Sequence, residues 1–329
     1  MLRRSEGCPG QQWYTPLIRA HRLADWWGLE SLWLKNESLG LSGSFKDRGA
    51  VVAVREAISK GYKKILTASS GNAGAATAAR AAMYGVHAIV LVDPQAPTEK
   101  LRQIKAYGAE IKMIEGLFNQ PSEQFVRTLK SIAVEEDAYL AFYWEPVNSA
   151  IIQGFEVIAE EIVYQLGIAP EVVLIPTGGG DHFVAQGRAY LRLWRQGVIE
   201  HVPQLIAVQP EGACPLVDAV KAGLHYIPYR ANPTSIASGL RVAFSGQHAL
   251  SLIEDSEGTG MHKHMAVTVT EDQIRKTLRL LATLEGIWIE PSGVAALAAI
   301  PDLLEMGAFG PDALIVAPLT GAGWKDPPQ

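Results

Sequence analysis

The sequence predicts an α/β protein built as two open parallel-sheet lobes with a cleft between them, on three observations. Short, near-continuous apolar runs alternate with longer helix-compatible stretches along most of the chain. Runs of that kind are strands buried on both faces, as in parallel sheets covered by helices. Gly-rich turns stand at the ends of several of them, and the eightfold regularity of a closed barrel is missing.

Taken in order, Lys64–Ala68 reads as a strand and the Ala-rich stretch from about Ala73 to Tyr84 as the helix after it. His87–Val92 is a strand, followed by a helix through Lys100–Ile104. Ile111–Ile114 and Tyr139–Tyr143 are strands on either side of a helix rich in Leu, Ile and Val. From Gly154 a helix continues to Leu166. Val172–Ile175 is a strand, and the next helix opens near His182. Leu205–Val208, Ala266–Val269 and Leu314–Ala317 complete the series. The Ser/Gly-rich stretch at 38–49 and Pro146–Ser149 bracket a compact set of these units. The expected division is a small domain, 42–148, set into a large one made of 1–41 and 149–329.

Composition narrows the function. The chain has 329 residues, 48% hydrophobic and 19% charged, enough for two domains. Net charge is -5 and Lys/Arg residues do not cluster, which disfavours nucleic acid as a partner. No apolar run is long enough for a bilayer span, and residues 1–7 lack the apolar core of a signal peptide. Cys8 and Cys214 match no metal or redox spacing, so the expectation is a cytoplasmic protein without a disulfide scaffold. His262-Lys263-His264 has no carboxylate or cysteine partner and reads as a solvated segment; no metal site is expected. A G-x-S-x-G elbow is absent.

The chemistry concentrates in a few turns. Ser42-Gly43-Ser44-Phe45-Lys46-Asp47-Arg48-Gly49 sets one lysine at the start of a helix. An amine held there loses its proton more readily, and a neutral amine forms a Schiff base with an aldehyde. Ser69-Ser70-Gly71-Asn72-Ala73-Gly74 follows a strand, where hydroxyls, amides and a carboxamide suit a carboxylate or a ring oxygen. The same residues serve as ordinary helix caps. Gly178, Gly179 and Gly180 free the backbone to wrap an anion, although neither a Walker loop nor G-x-G-x-x-G is present, and a flexible lid is the alternative reading. Glu290-Pro291-Ser292-Gly293 enters a helix that Ser292 would cap, and Thr320 in Leu319–Gly323 either offers one hydroxyl to a ring nitrogen or is a turn residue.

In this order the motifs resemble the fold-type II pyridoxal phosphate enzymes, the threonine synthase family above all. The resemblance runs from Tyr14-Thr15-Pro16-Leu17 through Leu34–Glu37, the lysine loop, 69–74, 178–180, Val208–Gly212 and Ser235–Arg241 to Glu290–Ser292 and Leu319–Asp326. It implies a tryptophan synthase beta-like fold with pyridoxal 5'-phosphate in the cleft. Lys46 would carry the cofactor and move protons at the substrate carbons, with Phe45 beside the ring. Asn72 would meet the ring hydroxyl, Gly178, Gly179 and Gly180 the phosphate, and Thr320 the ring nitrogen. Ser69, Ser70 and Gly71 would receive the substrate carboxylate, and Asn148 and Ser149 would add to the substrate site. The implied partner is a small amino acid, and the implied assembly a homodimer. The implied reaction is conversion of O-phosphohomoserine and water to threonine and phosphate. The alternative is β-elimination or β-replacement on another amino acid, because Val147–Gly154 contains no arginine where the family places one for the substrate phosphate.

Overall fold

The computed structural model describes residues 14–96, 98–256 and 263–325; the readings at residues 1–7, Cys8, His262 and Asp326 lie outside them. The chain runs β1 (Leu17–Arg19), α1 (His21–Trp27), β2 (Ser31–Asn36), α2 (Lys46–Ser59), β3 (Lys64–Ala68), α3 (Asn72–Tyr84), β4 (His87–Val92) and α4 (Thr98–Ala106). It continues through β5 (Glu110–Met113), α5 (Ser122–Glu135), β6 (Ala138–Leu140), α6 (Ala150–Leu166), β7 (Val172–Pro176), α7 (Asp181–Arg195) and β8 (Gln204–Pro210). The last elements are α8 (Pro215–Lys221), α9 (Gln247–Ser256), β9 (Met265–Val269), α10 (Glu271–Glu285), α11 (Pro291–Ala298), α12 (Ile300–Glu305) and β10 (Leu314–Leu319).

Two sheets result. One has the order β1-β2-β10-β7-β8-β9, parallel throughout except for the antiparallel edge strand β1. The other has the order β5-β4-β3-β6 and is wholly parallel. The expected α/β architecture with two parallel sheets is therefore present. Central strands such as β7 are buried at every residue, which explains their unbroken apolar sequence. Alanine lets α3 lie close against its neighbours: residues 73–81 of that helix are all buried. The helix α10 is fixed by a capping box between Thr270 and Gln273.

The structure departs from the sequence reading where polar residues are buried or where one contact overrides propensity. β2 escapes an apolar-run search because it ends in Lys35 and Asn36, both buried. The Lys35 ammonium donates to Glu161 at 2.6 Å and to the Thr15 carbonyl at 2.8 Å. β6 stops at Leu140, short of Tyr143. α6 starts at Ala150 and passes through Gly154 instead of beginning there. A Cβ on Gly154 would stand 2.1 Å from the Arg48 carbonyl oxygen, so glycine is required for α6 to cross α2 this closely. His264 is not solvated as expected: it is 2% exposed, and its Nδ1 accepts from the Leu205 amide at 3.2 Å. No group of potential metal ligands occurs among the described residues, and none of their helices is long and apolar enough to cross a membrane.

Candidate active site

The lysine loop is stitched to the turn after β10. The Phe45 amide donates to the Thr320 carbonyl at 3.0 Å, Ser44 bridges Gly321, and the Ala322 amide donates to the Gly43 carbonyl at 2.9 Å. These bonds bring Lys46, on the first turn of α2, beside Thr320 although 274 residues separate them in sequence. Arg48 then anchors the turn. Its guanidinium meets Glu37 at 3.0 Å and Glu161 at 2.8 Å, in a buried group that also holds Lys35. Two cations facing two carboxylates leave that group neutral, the condition under which buried charge is tolerated.

The Lys46 ammonium lies among three rings, 4.5 Å from the centre of Phe45, 5.2 Å from Phe155 and 5.3 Å from Tyr143. Burial there disfavours the charged form and lowers its pKa from 10.5 to about 8, against the opposing pull of Asp181 and Glu290. Near neutral pH a useful fraction of the amine is then unprotonated and able to attack a carbonyl.

At the ends of β3 and β7 the predicted turns are in place. Gly74 must be glycine, since a Cβ would stand 2.1 Å from the Ser69 carbonyl oxygen. That tight turn sets Ser69, Ser70 and Gly71 ahead of α3, with the Ser69 hydroxyl accepting from the Gly71 amide at 3.2 Å. The Asn72 carboxamide donates to Glu290 at 2.8 Å. Between β7 and α7, the amides of Gly178, Gly179 and Gly180 donate to no acceptor among the described residues. They lead into the N-terminus of a fifteen-residue helix, a natural place for an anion. Gly180 adopts φ +101°, and its Cβ would lie 2.7 Å from that of Ala249. Asp181 does not crowd this cradle freely: its carboxylate accepts from the Glu145 amide at 2.9 Å and lies 3.3 Å from His248 Nε2.

Asn148 and Ser149 are not brought to this site. Asn148 donates to the Tyr139 hydroxyl at 2.9 Å and to the Leu140 carbonyl at 3.0 Å. With Ser149 it lines a separate cavity of about 640 Å³ beside Glu56, Lys60, Tyr62 and Tyr139. A buried carboxamide satisfies its donors on the nearest acceptors, and here those belong to β6. Lys325 is likewise occupied, donating to the Ser42 carbonyl at 2.6 Å and to Gln103 at 2.8 Å. Arg241 is exposed.

Glu290 is the residue that sequence reasoning passed over. Its signal was a carboxylate directly before Pro-Ser at a helix start, yet only the fold shows it reaching Asn72. Ser292, read as a cap, instead accepts from the Gly239 amide at 2.9 Å. Tyr143, Phe155 and His182 complete the aromatic wall, and apolar or aromatic residues of that kind are indistinguishable from core in sequence.

Comparison with known proteins agrees with this geometry. Residues 9–321 match the family described as pyridoxal-phosphate dependent enzyme. The chain is 33% identical to threonine synthase of Methanosarcina acetivorans over 321 residues, 96% of this chain and 76% of that protein. It is 31% identical to threonine synthase of Mycobacterium leprae over 315 residues, 95% of this chain and 82% of that one. Among solved structures, maize serine racemase superposes with a TM-score of 0.80 at 23% identity, covering 94% of this chain and 88% of that one. The processed form of threonine deaminase isoform 2 from Solanum lycopersicum superposes with a TM-score of 0.78 at 22% identity, covering 94% and 79%. The amides without acceptors, the glycine cradle and the buried amine all fit pyridoxal phosphate.

Proposed function

Because this chain belongs to the pyridoxal-phosphate dependent enzyme family, we propose that it is a lyase of threonine synthase type, converting O-phosphohomoserine and water to threonine and phosphate. The observation that carries the reading is the Lys46 amine, with its pKa lowered to about 8, held at the junction of the lysine loop and the Thr320 turn. The family resemblance to threonine synthases over nearly the whole chain supports the choice of reaction.

Bound pyridoxal phosphate makes the bonds at a substrate α-carbon labile by drawing electrons into its ring. The protein's part is orientation, water exclusion and proton transfer. In this reading the amides of Gly178, Gly179 and Gly180 hold the cofactor phosphate. Asn72, kept in place by Glu290, would bond the ring hydroxyl, and Thr320 would meet the ring nitrogen. A neutral hydroxyl at that nitrogen does not enforce its protonation as a carboxylate would. Ser69, Ser70 and Gly71 receive the substrate carboxylate. Lys46 Nζ takes and returns protons at the substrate carbons, its pKa near the working pH as general acid–base catalysis requires. Phe45, Tyr143 and Phe155 exclude water around that amine.

A second reading is favoured by three specific observations. Asn148 and Ser149 face another cavity, Lys325 is held by Ser42 and Gln103, and no arginine stands in Val147–Gly154. None of these positions supplies the cationic partner that a dianionic leaving group calls for, which suits elimination from a hydroxy amino acid. The holo-protein incubated with O-phosphohomoserine decides between them. Stoichiometric phosphate and threonine support the first reading; 2-oxobutyrate from threonine, without activity on O-phosphohomoserine, supports the second. Lys46→Ala should lose both the visible absorbance of the cofactor and all turnover.

A further inference from the structure

The helix α7 carries a polar row that the site does not account for. His182, Gln186 and Tyr190 recur every four residues, which places them along one face of the helix. Their exposures are 5%, 0% and 0%. Each keeps a polar group without a hydrogen-bond partner among the described residues: both ring nitrogens of His182, Oε1 of Gln186 and the hydroxyl of Tyr190. The other end of the Gln186 carboxamide is used, donating to the Phe155 carbonyl at 3.1 Å. Orphaned buried atoms are scarce in folded proteins and costly, so a row of them calls for partners.

The chemistry of the row is complementary. Burial lowers the pKa of His182 to about 3, so its ring is neutral, with one donor and one acceptor nitrogen. Burial pushes the Tyr190 phenol up, which keeps its O–H as a donor. Gln186 Oε1 is an acceptor. Residues four apart on a helix have Cβ atoms about 5–6 Å apart. One water making two bonds of about 2.8 Å joins polar atoms up to about 5.6 Å apart. At its upper end the row touches the site: the His182 ring stacks on Phe45 at 4.7 Å and 29°.

We propose that His182, Gln186 and Tyr190 form a hydrated polar ladder, joined by ordered water molecules, and that through the stacked His182 ring it positions Phe45 beside Lys46. The positioning half rests on the assignment of Lys46 as the reacting amine; the hydration half does not.

The test uses the holo-protein and no substrate, so it is independent of which amino acid the enzyme takes. Nitrogen-15 spectra of labelled histidines, with His182→Gln identifying the signal, should show one protonated nitrogen and one hydrogen-bonded acceptor nitrogen. Both should shift in Tyr190→Phe. A free acceptor nitrogen, unmoved in Tyr190→Phe, overturns the ladder. Urea unfolding gives a second reading from a variant that changes only one atom. Tyr190→Phe should lower the midpoint if its hydroxyl is bonded; an unchanged or higher midpoint means the hydroxyl was orphaned and the ladder does not exist. For positioning, His182→Leu should change the visible circular dichroism of the bound cofactor and His182→Gln should restore part of it. An unaltered signal in His182→Leu overturns that half, and Tyr190→Phe, read by the same dichroism, replaces it where His182→Leu fails to fold.

Discussion

Glu290 acts on the charge of Lys46. Burial lowers the lysine pKa to about 8, and Glu290 is one of the carboxylates that keep it from falling further. Glu290→Gln removes that pull, so the midpoint for reaction of the apo-protein amine with pyridoxal phosphate should move below 8. The rate should rise with pH in both proteins, because the neutral amine is the nucleophile; an unmoved midpoint would refute the assigned coupling. The same shift bears on stability. Between about 8 and 10.5 the unfolded chain holds a proton on Lys46 that the folded one has released. Stability from this residue therefore rises with pH through that window. Lys46→Met should stabilise the apo-protein more at pH 7 than at pH 10, measured by urea unfolding. At this scale the sequence pointed to residues in Gly-rich turns, and the fold brings two of those turns together, the lysine loop and the one at Thr320. The sequence did not disclose Glu290, whose role depends on a contact across 218 residues. It misplaced Asn148, because a motif cannot reveal that Tyr139 offers the nearer partner.

The position of α2, and with it of Lys46, is decided by one helix crossing. Gly154 of α6 meets the Arg48 carbonyl of α2, and Gly49 of α2 meets Ile151 and Phe155 of α6. Such proximity leaves no room for a methyl group. Gly154→Ala should force the helices apart, costing roughly 1–3 kcal/mol as overpacking does. It should also move the Lys46 reaction midpoint, since the ring wall includes Phe155. Loss of stability without any change at Lys46 would show that the crossing does not place the amine. The elements legible in sequence were those with an apolar core and a clear period, among them β3, α3, β4, β7, β8, β9 and β10. β2 was hidden by Lys35 and Asn36, whose burial depends on partners on α6 and in the residues before β1. The start of α6 was misread because a mid-helix glycine carries the signal of a boundary when its actual cause is a neighbouring helix.

Across the whole molecule, Lys325 is one of the side chains that tie the two sheets, and it does so over the lysine loop. Lys325 follows β10 of the six-stranded sheet, and its ammonium donates to the Ser42 carbonyl at 2.6 Å. It donates also to Gln103 of α4, which flanks the four-stranded sheet, at 2.8 Å. Gln103 returns to the same Ser42 carbonyl at 2.8 Å, closing a three-membered tie. Hydrogen bonds to a charged donor in a half-dry setting are worth roughly 1.5–3 kcal/mol each in net stability. Lys325→Met keeps the apolar stem and removes all of the donor's bonds. It should lower the urea midpoint and speed amide exchange in both 42–45 and 98–106, on either side of the tie. Exchange that quickens only near 319–325 would mean that the ammonium braces its own turn and leaves the sheets uncoupled. Gln103→Leu separates the two halves of the effect: it releases α4 while Lys325 still holds Ser42. Faster exchange at 98–106 with 42–45 unchanged is its expected signature.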